Sequence, residues 1–364
     1  MIIDIATASP PYRVPQAKAT EELKKRMGVR PAVARLIDAA SQHSGIDSRY
    51  IVIPDADDAA AEKFYSTDGA YVSPDTKRRM AEYERWAKQL TQEAVGEVLR
   101  ATGCDPQTIG RLIVISCTGF FAPGLDYHLI QEFSLPRSVK RTTIGFMGCA
   151  ASIVGFSSVL EAMTASGKDT LTTLMVSVEL CSLHLQTEPT RDNILANMIF
   201  ADGAAAVLIS NDATLTRAAR LELVRTHSLI FDNSSALMGW KIGNEGFEMS
   251  LSSELPKIIL EHAVPALKKM LAESGIAVGD IAHWALHPGG RAILDALQEG
   301  LHLSEAAMLP SRTVLKNYGN MSSASILFVL KELLRSTPVK KNDLCCAVAF
   351  GPGLSMEVAL LKGA

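Results

Sequence analysis

Helical and strand-like hydrophobic patterns alternate along the chain. Over residues 77–101 apolar positions recur at helical spacing, Gly103 stops the run, and residues 111–116 form the short apolar block of a buried strand. The same order returns later. Residues 261–273 predict a helix, Gly275 ends it, and residues 283–287 predict a strand running into Pro288, Gly289 and Gly290. Gly119 and Gly290 stand 171 positions apart, and Gly103 and Gly275 one more. An offset that holds across helix, stop, strand and turn marks an internal duplication.

A third matched pair lies at two helix starts. Gly148-Cys149-Ala150-Ala151-Ser152 opens a helix with Ile153, Phe156, Leu160 and Met163 on one face, and Gly319-Asn320-Met321-Ser322-Ser323 opens another that is apolar all round over residues 326–330. Cys149 and Asn320 are again 171 apart. Strands follow at 171–178 and 344–350, so each half alternates helix and strand. The pattern predicts two related α/β halves, residues 1–214 and 215–364, joined by a surface connection near 211–220. Between residue 178 and the strand at 204–210 the first half carries an insertion, including Pro189 to Asn193, that the second half lacks. An insertion at one of two equivalent positions is a natural substrate wall.

Composition narrows the class. With 364 residues, 48% hydrophobic and 21% charged, the chain reads as a large, well-buried globular body rather than a disordered or fibrous one. A net charge of −3 without long basic runs argues against a nucleic-acid partner. The first six residues lack the basic start of a signal peptide, and no apolar stretch approaches the ~18 residues of a membrane span. A cytoplasmic chain without a membrane span is the expectation. Six cysteines in so long a chain are too few for a disulfide scaffold, and none has zinc-ligand spacing, so no metal is expected.

Two helices starting at equivalent places in a duplicated fold aim their free N–H groups and positive dipole ends toward a common crevice. One start carries the thiol of Cys149, the other the carboxamide of Asn320, and His287 ends the strand that leads toward them. A helix N-terminus and a nearby imidazole both favour thiolate, which predicts a Cys149 pKa brought down toward neutrality. Taken singly, each residue has a plainer reading: a cysteine filling an apolar core, a histidine ending a strand, an asparagine in a glycine turn. Three such coincidences at matched edges of two halves favour a Cys-His-Asn site. The other cysteines lack the same helix start and read as buried thiols.

These residues sit in longer motifs. Gly-Phe-Met-Gly-Cys149-Ala-Ala, His287-Pro-Gly-Gly-Arg-Ala-Ile-Leu-Asp, Asn317-Tyr-Gly-Asn320-Met-Ser-Ser-Ala-Ser and Phe350-Gly-Pro-Gly-Leu-Ser-Met-Glu resemble the type III polyketide synthases, the chalcone synthase-like branch of the thiolase fold. Residues 79–85 and Ser116-Cys117-Thr118-Gly119 resemble it too, so the likeness covers nearly the whole chain. It implies an α/β, duplicated α-β-α-β-α layered fold and a homodimer. The implied enzyme is an acyltransferase that needs no cofactor and takes coenzyme A thioesters, an acyl-CoA starter and malonyl-CoA, as its substrates. By the same resemblance Cys149 holds the acyl chain, His287 and Asn320 stabilise the enolate formed when malonyl-CoA loses carbon dioxide, and the extended chain finally cyclises.

Further positions follow from the resemblance one at a time. Phe200 and Phe247 match two gatekeeper phenylalanines between the CoA tunnel and the cavity; without the likeness both read equally well as core aromatics. Thr118, Cys181, His184 and Ser322 match cavity-lining positions, and Gly290 and Ala292 match positions beside the pantetheine arm. The chain departs from plant members at Ala122, where a methionine crossing the dimer interface is usual, and at His184, where a small residue is usual. It also lacks their phosphate-holding basic residues around Leu36 to His43, with Arg30 and Arg35 nearby. The stretch Met238 to Gly243 looks more like bacterial members that make alkylpyrones and alkylresorcinols from fatty acyl starters. Two rival readings are a single-round ketoacyl synthase of the same fold, which usually shows His-Gln-Ala-Asn at the His287 motif, and an inactive subunit that only shapes a partner's cavity.

Overall fold

The structure, a computed structural model, describes residues 1–27, 30–56, 63–67, 70–167 and 169–364. A nine-stranded sheet is made of β1 Ile2–Ala8, β2 Ile109–Ile115, β3 Lys140–Ile144, β4 Thr172–Leu180, β5 Asp202–Ser210, β6 Leu221–Ile230, β7 Ile281–Leu286, β8 Leu344–Gly351 and β9 Ser355–Gly363. Their spatial order is β7-β8-β9-β6-β1-β5-β4-β2-β3. Outward from the central β1–β6 contact, which pairs Ile2 with Leu221, both halves repeat one pattern: two antiparallel steps, then a parallel one. The duplication read from the glycine offset is thus written into the topology, and β3 extends the first half alone.

The side-chain period of two sorts residues into layers. On β2, Ile113 and Ile115 face a central core while Leu112 and Val114 face an outer one; on β8, Cys345, Ala347 and Ala349 face the same central core while Cys346, Val348 and Phe350 face the other outer one. The central core holds helices α2 Ala151–Ser166 and α4 Ser325–Ser336. Helix α1 Thr76–Thr102 covers the first-half strands, and Leu255–Ile258, Val264–Glu273 and Arg291–Leu301 cover the second. Five alternating layers result. Small residues on the central faces let the two inner helices approach, and their starts touch across the pseudo-twofold, where the Ser152 hydroxyl donates to the Ser323 carbonyl at 2.6 Å.

Two expectations are corrected. The helix placed at residues 261–273 begins earlier, at Leu255, and passes through a π-helical turn, Ile259–Ala263. Pro265 has no N–H to give to Glu261, and the widened turn accommodates its ring. One stretch, Gly148–Ser166, is also long and apolar enough by composition to cross a membrane, where none was expected. Its Ile153, Phe156 and Val159 are fully buried and pack between strands of both halves, as befits the core helix of a layered fold.

The insertion after β4 folds as a 3-10 turn, Cys181–His184, followed by helix α3 Arg191–Ile199. Helix α3 is capped by the Thr190 hydroxyl, which accepts from the Asn193 N–H. Opposite it lies the two-stranded hairpin Met238–Gly243 with Gly246–Leu251. Insertion and hairpin wall off the ends of the two inner helices.

Candidate active site

Cys149 sits in the 3-10 turn Gly148–Ala150 that leads into α2, and Asn320 just before the equivalent turn Ser322–Ala324 that leads into α4. His287 follows β7, its N–H tied to the Val348 carbonyl at 2.8 Å. All three are buried, at 6%, 1% and 3% exposure, and they line one small cavity of about 20 Å³ with Gly289, Phe200 and Phe350. The structure therefore brings together the three residues that the repeat singled out. The Asn320 carboxamide lies 3.9 Å through Nδ2 and 4.0 Å through Oδ1 from Cys149 Sγ. Its Oδ1 accepts from the Ser322 N–H at 2.8 Å, which orients Nδ2, the donor, into the cavity. Neither ring nitrogen of His287 has a partner in the protein. Ring nitrogens buried this deeply face the cavity side, where a hydrogen-bonding group can satisfy them.

Burial opposes one expectation. Burial pushes the Cys149 thiol up to about 11, against smaller downward pulls from its hydrogen bonds to Ser322 and Asn320. Burial alone pushes His287 down to about 3. Burial thus favours the neutral thiol and the neutral imidazole, against the acidic thiol that the helix start suggested.

A second cavity of about 50 Å³ continues from Cys149. Thr118, Cys181, His184, Ser322 and Phe200 all line it. His184 is fixed at both ends: Nδ1 accepts from the Phe247 N–H at 2.9 Å, so Nε2 carries the proton and meets the Thr118 carbonyl at 2.7 Å. Its imidazole, pushed down to about 3 by burial, stays neutral.

Phe247 is corrected. It is fully buried, stacked on His184 with ring centroids 4.3 Å apart, and lines neither cavity. Met249, two residues along the same face of the hairpin, lines both and stands with Phe200. Gly290 and Ala292 do not reach these cavities either; Gly289 does, while Ala292 is exposed on the first turn of Arg291–Leu301. Ala122 lies in a separate surface groove with Phe120, Tyr127 and Phe146. Arg30 and Arg35 are exposed.

The sequence reading missed Glu179. Fully buried on β4, it accepts from the Cys117 N–H at 3.0 Å, the Thr118 hydroxyl at 2.9 Å and the Ser323 hydroxyl. Burial raises its carboxyl to about 7. A lone acid within an apolar strand was the available signal. Trp240, whose Nε1–H donates to the Cys117 carbonyl at 2.7 Å, and Met238 are further wall residues from the hairpin. Among the described residues no group of three or more His, Cys, Asp or Glu side chains is placed to hold a metal ion.

This arrangement of a buried thiol, a hydrogen-bonding pair and an enclosed cavity at the seam of two halves is that of a condensing enzyme of the thiolase fold. Residues 59–278 match the family described as FAE1/type III polyketide synthase-like protein, and residues 222–364 match the C-terminal domain of chalcone and stilbene synthases. The chain is 30% identical to 1,3,6,8-tetrahydroxynaphthalene synthase of Streptomyces peucetius subsp. caesius over 98% of its length and 92% of that protein. It is 28% identical, over 98% of its length and 89% of the relative, to the alpha-pyrone synthesis polyketide synthase-like Pks18 of Mycobacterium tuberculosis. Among solved structures it superposes on PKS-I of the brown alga Ectocarpus siliculosus with TM-score 0.91 and 32% identity, covering 100% of this chain and 98% of that one. The chain belongs to the type III polyketide synthase family.

Proposed function

We propose that the protein condenses malonyl-CoA repeatedly, with loss of carbon dioxide, onto an acyl starter held as a thioester on Cys149, and releases a cyclised alkylpyrone, alkylresorcinol or related product. The observation that carries this reading is the single cavity shared by Cys149, His287 and Asn320. In the loading step the Cys149 sulfur bonds to the acyl carbon, the bond to the CoA sulfur breaks, and the thiol proton passes by way of the His287 ring to the departing CoA thiolate. Neutral imidazole suits that task, since one nitrogen accepts while the other donates.

In the extension step the His287 N–H and Asn320 Nδ2 donate to the thioester carbonyl of malonyl-CoA. Its terminal C–C bond breaks, carbon dioxide leaves, and the electron pair becomes the enolate that these donors stabilise. The enolate carbon attacks the Cys149 thioester and expels the thiolate, freeing the cysteine to receive the lengthened chain. A buried His287 that stays neutral keeps its N–H donor without adding a charge that the apolar walls would have to hold.

A fatty acyl starter fits walls built by Met238, Met249, Phe200 and Trp240. The likeness of Met238 to Gly243 to alkylpyrone-forming members supports the same choice. We assign a homodimer to this reading from the exposed aromatic groove around Phe120, Tyr127 and Phe146, which are 59%, 50% and 40% exposed. A cytoplasmic location and independence of any cofactor belong to the same proposal. The test is incubation with hexanoyl-CoA or lauroyl-CoA and malonyl-CoA, followed by mass spectrometry. Triketide or tetraketide pyrones are expected; a free β-ketoacyl product from one condensation would assign the chain to the single-round alternative, and no product at all to the inactive-subunit alternative.

A further inference from the structure

Arg49 lies on the short strand Ser48–Ile51, far in sequence from the inner helices, and is 6% exposed. Its Nη1 donates to two carbonyls, Asn197 at 2.6 Å and Phe200 at 2.7 Å. These are carbonyls of the last turn and cap of α3, which the helix leaves without intrahelical partners. The guanidinium also complements the negative end of that helix.

Phe200 in turn is joined to Asn320 by a pair of backbone bonds: the Asn320 N–H donates to the Ile199 carbonyl and the Ala201 N–H to the Asn320 carbonyl, both at 2.8 Å. On its other side the Arg49 stem packs directly on Gly319, where a Cβ would come within 2.8 Å of Arg49 Cγ. One buried side chain thus grips the backbone on both sides of the Phe200–Asn320 bridge.

We infer that Arg49 is a positioning residue, a clamp that sets Phe200 and the Asn320 carboxamide against Cys149. This rests on the condensing function proposed above. Asn320 donates usefully only if its Nδ2 is held toward the reacting carbonyl, and displacements near 1 Å are enough to lose catalysis by large factors. Arginine suits the place because its long stem carries the two N–H groups of Nη1 to both carbonyls at once, while lysine offers a shorter reach.

The test is steady-state malonyl-CoA decarboxylation and pyrone formation by Arg49→Met and Arg49→Lys, with circular dichroism to fix a temperature at which each is folded. The clamp predicts that kcat for decarboxylation falls about tenfold or more in Arg49→Met, with KM within about twofold, and that Arg49→Lys lies between. An unchanged kcat in either folded variant overturns the inference, as does a loss that merely follows the folded fraction with lysine no better than methionine. Should Arg49→Met fail to fold, Arg49→Lys decides by its kcat alone. Absence of condensation in the wild-type enzyme would instead count against the proposed function, so the two failures are separable.

Discussion

At the scale of residues, the proposed chemistry is divided between a thiol that carries and a pair of donors that stabilise. Cys149→Ala should abolish chain extension yet keep malonyl-CoA decarboxylation, because the His287 and Asn320 donors remain; mass spectrometry of the products measures the first and carbon dioxide release from labelled malonyl-CoA the second. Asn320→Ala should lower decarboxylation itself by about 10²–10³-fold, the usual loss for one donor to a developing oxyanion.

Glu179 sets a pH signature. Its folded pKa, about 7, lies above its ordinary value of 4.5, so its contribution to stability is complete below about 4.5 and is lost as the pH rises through 7. Glu179→Gln, which cannot ionise, should therefore gain on the wild type between pH 4.5 and 8 by about 3 kcal/mol in relative unfolding free energy. Denaturant titrations at the two pH values measure it, and a difference independent of pH would contradict the raised carboxyl.

The three central residues were legible because a repeat pointed to matched helix starts, each flagged by a glycine. The acidity of Cys149 was not, since burial rather than sequence neighbours decides it. Alkylation of Cys149 by iodoacetamide should therefore be slow at neutral pH and accelerate as the pH rises toward 11.

At the scale of elements, turns aim the site. Gly148 adopts φ +59, and a Cβ there would lie 2.4 Å from Pro352 Cδ, part of a rigid ring in the Gly351-Pro352-Gly353 turn. The two motifs that stood far apart in the sequence are thus one packed unit beneath Cys149. Gly148→Ala should cost about 1–3 kcal/mol of stability from overpacking, more with the backbone strain, and displace Cys149. Thermal unfolding together with acyl transfer from lauroyl-CoA would measure both effects; wild-type behaviour in both would contradict this packing.

The hairpin marks where reading by pattern stops. Phe247 and Met249 share one face of the strand, so periodicity cannot say which of them reaches the cavity. That choice depends on how far the hairpin slides over His184, and the stacking of Phe247 on that imidazole settles it.

At the scale of the molecule, the duplicated topology brings two helix starts to one seam, and an insertion from the first half and a hairpin from the second close it. The halves were legible from the constant offset, whereas their joining into a single sheet rests on one contact between Ile2 and Leu221 that no local pattern announces. The exposed aromatic groove is the whole-molecule feature with a consequence. Phe146→Glu should convert a dimer to monomers in sedimentation velocity, since a charge in a buried apolar interface is left unpaired. A wild-type protein that sediments as a monomer would contradict the assignment.

The most direct measurement of the central claim is the mass of the intact protein and of its Cys149 peptide after brief exposure to lauroyl-CoA, before any malonyl-CoA is added. The account predicts one acyl group on Cys149, lost on addition of malonyl-CoA and absent from Cys149→Ala. An unmodified protein, or an acyl group found instead on Cys117 or Cys181, the two other thiols of the same cavity, would contradict it.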